Sequence, residues 1–129
     1  MPASPTSLRV FLVDDSIAIR ERVADLLAAR AMDIVGEAAS PQASIDGILS
    51  ARPDVVVLDH QLEGGTGLQV LRAVRRAEPA IAFVVFSNNA SEPYRRRYLG
   101  EGARRFLDKS TEFDQLAGAV AEARRATLH

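Results

Sequence analysis

The chain has 129 residues, of which 47% are hydrophobic and 26% charged, and its formal net charge at pH 7 is -1. This composition is typical of one soluble globular domain, and the small net charge predicts no bulk attraction to nucleic acid or to a membrane surface. The absence of cysteine excludes disulfides and thiol chemistry, and two histidines are too few for an imidazole metal site, which leaves only a hard cation bound by oxygen atoms.

Residues 1–7 are rich in Pro, Ser and Thr, and we expect a mobile tail there, followed by a single domain over residues 8–129. The amino terminus lacks the charged-then-apolar pattern of a signal peptide. The longest apolar run, Ala80 to Phe86, is far shorter than the roughly 20 residues that span a bilayer. We therefore expect a cytoplasmic protein that makes no contact with a membrane.

Strands and helices alternate along the whole domain. Buried parallel strands are continuous apolar runs, whereas amphipathic helices repeat apolar residues every three or four positions. These patterns predict strands at Leu8–Val13, Asp33–Glu37, Val55–Leu58, Ala80–Phe86 and Arg104–Asp108. They predict helices at about Ser16–Arg30, from Pro41 to before Arg52, at about Leu68–Ala77, from Pro93 to about Leu99, and after a capping box of Thr111 and Asp114. Five such units predict an α/β fold with a doubly wound, five-stranded parallel sheet and helices on both faces.

Polar side chains follow several of the predicted strands. Asp14 and Asp15 follow the first strand, Asp59 the third, Ser87 the fourth and Lys109 the fifth. In the flavodoxin-like strand order 2-1-3-4-5 the first and third strands are neighbours, so three carboxylates converge at one edge of the sheet. Two unit charges about 4 Å apart repel by roughly 4 kcal/mol at an effective dielectric near 20, which favours a bound Mg²⁺ or proton uptake.

A hydroxyl and an ammonium beside this carboxylate cluster complete a possible phosphoryl site. Lys109 would neutralise phosphoryl oxygens, Ser87 would hydrogen-bond to one of them, and Asp59 would be the nucleophile that forms an acyl phosphate. Each residue also has an ordinary alternative role. An aspartate after a strand is commonly a helix cap, a serine there is commonly a turn residue, and a lysine is commonly solvated.

Four segments in order resemble the receiver domain of bacterial two-component response regulators, and the resemblance covers Leu8 to Arg125. The segments are Val10–Asp15, Val55–Asp59, Val84–Ser87 and Gly102–Lys109. The resemblance implies that Asp59 accepts a phosphoryl group from a phosphohistidine on a sensor histidine kinase or a histidine phosphotransfer protein. It also implies Mg²⁺ as cofactor, held by Asp15, Asp59 and the backbone carbonyl of Gln61, with Asp14 acting largely through water.

The same resemblance implies a conformational switch. In the family the hydroxyl, here Ser87, moves toward the phosphoryl group while an aromatic ring, here Phe106, turns inward. The surface formed by the fourth helix, fifth strand and fifth helix then shifts to bind a partner. A ligand that binds one of two pre-existing arrangements more tightly produces such a population shift.

This chain departs from the family pattern at three positions. The family commonly has proline where this chain has Glu63 and Ser110, and a very small residue where it has Asn88; Gln61 and Asn89 occupy positions that tune phosphoryl lifetime. Because residue 110 is serine, the peptide bond after Lys109 lacks the proline that makes a cis bond common. Because the residues of the phosphoryl site are retained, we expect a competent receiver with altered kinetics.

Two surfaces are candidates for docking. Ile17 lies off the apolar stripe of the first helix, and we expect it to point to solvent and to contact a kinase, although a lone exposed isoleucine without a role is an alternative. Tyr94 and Tyr98 flank Arg95 on the fourth helix, an aromatic and arginine mixture that interfaces favour, although a merely solvated face is an alternative. We expect Tyr94, Arg95 and Tyr98 to be exposed there.

No segment for reading DNA remains after the receiver is assigned, so we expect a stand-alone, chemotaxis-regulator-like signalling domain rather than an enzyme. Its output would be binding of an unidentified downstream protein or onward phosphotransfer, as a monomer or a phosphorylation-dependent dimer. One alternative is a receiver-like adaptor that is never phosphorylated. An aspartyl phosphohydrolase would need a second acid at position 61, which is Gln. A flavin protein of the same topology would want hydroxyls and backbone amides where two carboxylates stand.

Overall fold

The computed structural model of the protein describes residues 7–127. The expected mobile tail lies, apart from Ser7, outside the described residues, and so do residues 128 and 129 of the expected domain. The helices and strands are, in chain order, β1 (Arg9–Val13), α1 (Ile17–Ala28), β2 (Asp33–Ala38), α2 (Pro41–Ala51), β3 (Val55–Leu58), β4 (Gln61–Leu62), β5 (Gly65–Thr66), α3 (Gly67–Ala77), β6 (Ala82–Ser87), α4 (Glu92–Gly100), β7 (Arg105–Asp108), a 3-10 turn (Phe113–Gln115) and α5 (Leu116–Thr127).

The main sheet has five parallel strands in the order β2-β1-β3-β6-β7. Because β6 and β7 are the fourth and fifth strands of the sequence prediction, this is the predicted order 2-1-3-4-5. The prediction of an α/β, doubly wound, flavodoxin-like sheet is therefore confirmed. The strand β7, which is short and less apolar than its neighbour β6, lies at an edge of the sheet, where a strand is buried less completely.

Side chains of the strands alternate between two buried faces of the sheet. Val10 and Leu12 of β1 pack on the face that α1 and α5 cover. Phe11 and Val13 pack on the opposite face, which α2, α3 and α4 cover. With both faces covered, the open part of the sheet is the edge formed by the carboxyl ends of the strands, where the predicted site residues follow.

The segment after β3 differs from the prediction of a plain glycine-rich loop. It forms the short antiparallel hairpin of β4 and β5, in which Gln61 faces Thr66. Gly64 has a φ of +80°, a conformation that glycine adopts without strain and that allows the tight turn. The Glu63 N–H donates to the Ala39 carbonyl at 2.9 Å, so this hairpin is fastened to the end of β2.

The start of the last helix also differs from the prediction. The capping box of Thr111 and Asp114 is wrong, because a 3-10 turn precedes α5 and no side chain caps it. The Glu112 carboxylate turns back and accepts a hydrogen bond from the Asp108 N–H at 3.0 Å. The Glu112 N–H donates to the Asp108 carbonyl at 2.8 Å, so the turn is closed by the residue at the end of β7.

Candidate functional site

The acidic residues of the site are brought together by the pairing of β1 with β3. Val13 and Leu58 are partners in this pairing, so the aspartates that follow them leave the sheet side by side. One carboxylate oxygen from each of Asp14, Asp15 and Asp59 lies within 4.8 Å of the others. Asp14 and Asp59 are only 5% and 6% exposed, whereas Asp15 faces solvent. The site therefore contains two buried carboxylates and one accessible carboxylate.

Lys109 reaches this cluster from the end of β7. Its Nζ lies 2.5 Å from Oδ2 of Asp14 and 3.0 Å from Oδ2 of Asp59, and the residue is 9% exposed. Burial lowers the pKa of Lys109, but the hydrogen bond to Asp14 and the charges of both carboxylates raise it, and the net result lies above the usual value. Burial also raises the pKa of Asp14 more than the hydrogen bond from Lys109 lowers it.

The carboxylate of Asp59 has a hydrogen-bond donor on each oxygen. Oδ1 accepts from the backbone N–H of His60 at 2.7 Å, and Oδ2 accepts from Lys109. Ser87 ends the neighbouring strand β6 and is 2% exposed, and its hydroxyl accepts from the Asn89 N–H at 3.1 Å. The Lys109 N–H donates to the Ser87 carbonyl at 3.1 Å, which joins the two strand ends.

The donor atoms of the cluster suit a hard divalent cation. Three carboxylates face a single ammonium, so the described charges leave an excess of negative charge that Mg²⁺ would balance. Asp15 is exposed and would leave room for the waters that Mg²⁺ retains. Gln61, whose backbone carbonyl is the fourth expected ligand, is exposed in β4 two positions after Asp59. The residues present therefore fit Mg²⁺.

The family model of the response regulator receiver domain matches residues 10–121, which include every residue of this site. The chain belongs to the response regulator receiver domain family. Receiver domains of this family are signalling domains of two-component systems and work through phosphorylation. In the described part of this receiver domain, each helix is too short or too polar to cross a membrane.

Two longer proteins and one solved structure show how far the likeness extends. The receiver domain is 33% identical over 116 residues to the DNA-binding transcriptional activator DevR/DosR of Mycobacterium tuberculosis, covering 89% of this chain and 54% of the activator. It is 28% identical over 124 residues to a protein-glutamate methylesterase/protein-glutamine glutaminase of Nocardioides sp., covering 94% of this chain and 34% of that protein. The signal receiver domain of NarL from Mycobacterium tuberculosis superimposes with a TM-score of 0.87 at 30% identity, covering 94% and 98% of the two chains. The chain thus spans about half of the length of the activator and about a third of the length of the methylesterase/glutaminase.

The switch and docking residues of the receiver domain have different surroundings. Phe106 is buried, and the guanidinium of Arg95 lies 5.4 Å from the centre of its ring. Ile17 is 65% exposed and Tyr94 is 37% exposed, as expected, while Arg95 is half-buried because it donates to the Phe106 carbonyl at 3.0 Å. The expectation that Tyr98 is exposed is wrong, since it is completely buried and its hydroxyl lies 2.6 Å from Nδ1 of His60.

Two residues of the receiver site were absent from the sequence predictions. His60 directly follows Asp59 and is 9% exposed; burial lowers its pKa, although the charge of Asp59 raises it. Arg20 of α1 donates to the Asp14 carbonyl at 2.5 Å and pairs with Glu37 of β2 at 3.0 Å. The position of His60 beside the acceptor aspartate was an available signal, whereas the contacts of Arg20 depend on how α1 packs.

The buried phenol of Tyr98 predicts a loss of stability at alkaline pH. Burial raises the pKa of Tyr98 above its usual value of 10.0, so the folded state keeps a proton that the unfolded state loses. We expect this contribution to be complete below pH 10 and to decline above it by about 1.4 kcal/mol per pH unit. Between pH 7 and pH 11 the free energy of unfolding in urea should decline less for Tyr98→Phe than for wild type. A decline remains in both proteins, because the pKa of Lys109 is also raised in the folded state. An equal decline in both proteins would contradict the prediction.

Proposed function

We propose that this receiver domain is a phosphorylation-dependent switch that accepts a phosphoryl group on Asp59. The donor is a phosphohistidine on a sensor histidine kinase or a histidine phosphotransfer protein. As a carboxylate oxygen of Asp59 bonds to phosphorus, the phosphorus–nitrogen bond breaks and the imidazole leaves and takes up a proton. The observation that supports this proposal most directly is the buried carboxylate of Asp59 within hydrogen-bond distance of the Lys109 ammonium.

The surrounding residues would have separate roles in this transfer. Lys109 would move its hydrogen bond from Asp59 to the incoming phosphoryl oxygens, and the Ser87 hydroxyl would donate to one of them. Asp14, Asp15, Asp59 and the backbone carbonyl of Gln61 would hold Mg²⁺, which supplies positive charge to the phosphoryl oxygens when bound. The His60 N–H already holds one oxygen of Asp59, so the nucleophile is oriented before the donor arrives.

The output of the switch would be a changed surface. Ser87 and Phe106 would shift with the phosphoryl group, and the surface of α4, β7 and α5 would then bind a downstream protein or pass the phosphoryl group on. Ile17, beside the site, and Tyr94 and Arg95 on α4 are the proposed docking residues. The protein would act as a monomer or as a phosphorylation-dependent dimer.

Mass spectrometry of the intact chain tests the proposed acceptor. With acetyl phosphate and Mg²⁺ we expect wild type to gain one phosphoryl group and Asp59→Asn to gain none. Asp46→Asn is the matched control, because this exposed aspartate of α2 only pairs with Gln42. A phosphoryl group on another residue would contradict the proposal. Complete absence of phosphorylation in wild type would favour the adaptor alternative.

Equilibrium unfolding tests the metal without using activity. Binding to the folded state alone adds RT ln(1 + [L]/Kd), so we expect millimolar Mg²⁺ to raise the free energy of unfolding by about 1 to 3 kcal/mol. Asp15→Asn should remove most of that increase and leave the protein folded, because this carboxylate is exposed. The increase should disappear on chelation with EDTA. An equal increase in Asp15→Asn would contradict the assigned ligands.

A further inference from the structure

A row of aromatic rings joins the end of β3 to α4 and β7. The His60 ring lies 4.3 Å from the ring of Tyr94 and 5.5 Å from that of Tyr98, measured between ring centres. The ring of Tyr98 in turn lies 5.8 Å from that of Phe106. The row therefore leads without a gap from the residue beside Asp59 to the aromatic residue of the proposed switch.

Tyr98 is the buried point at which helix α4 joins this row. Of its residues Glu92–Gly100, all within the described part of the chain, Tyr98 alone is buried. Its hydroxyl makes a short hydrogen bond to Nδ1 of His60, at 2.6 Å, beneath the protein surface. Apart from the half-buried Arg95, which donates to the Phe106 carbonyl, the other residues of α4 are exposed. An element with so few buried contacts belongs to the low-stability part of a structure, so small changes at Tyr98 move its equilibrium.

His60 contacts the acceptor aspartate and α4 with different parts of the same residue. Its backbone N–H donates to Oδ1 of Asp59 at 2.7 Å, and its carbonyl accepts from the Gly67 N–H at 2.7 Å. Its imidazole lies between Tyr94 and Tyr98, and both of these rings belong to α4. One residue therefore contacts both the Asp59 carboxylate and α4.

We propose that His60 and Tyr98 are positioning residues whose hydrogen bond restrains α4 while Asp59 is unmodified, and that a phosphoryl group on Asp59 releases this restraint. The inference rests on the proposed function, since it needs Asp59 to be the acceptor. Because coupling between two sites is reciprocal, removal of the restraint must also favour occupation of the phosphoryl site.

The test compares wild type with Tyr98→Phe, which loses the hydroxyl and with it both the hydrogen bond to His60 and the hydrogen bond to the Leu68 backbone. The probe is beryllium fluoride with Mg²⁺, a tetrahedral mimic of the phosphoryl group, added to the full chain. We expect Tyr98→Phe to bind the probe more tightly by about fivefold or more. Amide exchange in α4 should be faster in this variant before the probe is added, and the probe should change it less. Leu99→Ala, an exposed change on the same helix, should behave as wild type.

His60→Phe removes the same hydrogen bond from the other side, because it keeps a ring between the tyrosines and lacks the ring nitrogen that contacts the Tyr98 hydroxyl. We expect it to tighten probe binding as Tyr98→Phe does, and the double variant to show no further gain. Additive gains in the double variant, or unchanged or weaker probe binding in both single variants, would overturn the inference.

Two further outcomes separate this inference from the proposed function. Wild type that gains a phosphoryl group on Asp59 but shows no response in α4 overturns the inference and leaves the proposed function standing. Wild type that neither gains a phosphoryl group nor binds the probe refutes the proposed function, and the inference with it. The free energy of unfolding of each variant serves to distinguish lost coupling from lost folding.

Discussion

Gly67→Ala is expected to lower the free energy of unfolding by about 3 kcal/mol or more. A Cβ at this position would lie 2.1 Å from the backbone oxygen of Asp59 and 3.1 Å from Cγ of Leu58. Residue 67 cannot easily move away from them, because the Gly67 N–H is bonded to the His60 carbonyl and a capping box of Thr66 and Gln69 fixes the start of α3. The clash therefore displaces the backbone that carries the acceptor aspartate.

Urea unfolding measures this loss, and Gly118→Ala is its matched control. A Cβ at Gly118 in α5 meets no atom within 4 Å, so alanine there should stabilise the helix by about 0.5 to 1 kcal/mol. If Gly67→Ala folds, we also expect a lower rate of phosphorylation by acetyl phosphate. A stability equal to that of wild type would show that the contact between α3 and the end of β3 relaxes easily.

Lys109→Met is expected to cost about 3 to 5 kcal/mol, because it leaves two buried carboxylates without their shared counter-charge. Methionine keeps much of the length of the side chain, so the loss comes from charge rather than from a cavity. Mg²⁺ should restore part of the stability, and its stabilising effect should exceed that in wild type. Phosphorylation by acetyl phosphate should slow by about 100-fold or more, the effect typical of removing a group that stabilises charge in a transition state.

Arg105→Met is the control for loss of a positive charge. Arg105 pairs at 3.4 Å with Glu122 on the surface, so its removal should change stability by less than about 1 kcal/mol. Unfolding measured in EDTA and in Mg²⁺ separates the stabilisation by the metal from the stabilisation by the Lys109 ammonium. An equal effect of Mg²⁺ on wild type and Lys109→Met would contradict the view that metal and ammonium neutralise the same carboxylates.

Much of the architecture follows from local pattern. The run Val55–Leu58 is apolar at every position and forms β3 with the predicted bounds. Once neighbouring strands are parallel, the residues that follow them must share one edge, so Asp14, Asp59 and Lys109 could be placed together from sequence. Covalent order and strand direction are sufficient for this part of the site.

The errors fall where packing decides between similar local patterns. Tyr98 lies among arginines on a polar helix, and nothing in its neighbours along the chain distinguishes it from Tyr94. It is buried because His60, 38 positions away in the sequence, supplies a hydrogen bond and Phe106 of β7 supplies a ring contact. The buried role of His60 depends on the same contacts and could not be predicted without them.

Lys109 is the only lysine in the chain, since the other basic residues are arginines. A reagent that acylates lysine side chains can therefore modify just one side chain, and an endoprotease specific for lysine has a single cleavage site. Because the Lys109 ammonium is enclosed by two carboxylates, its rate of acylation measures how often the acidic pocket opens. The native sequence thus contains its own chemical reporter of the signalling state, and no engineered label is needed.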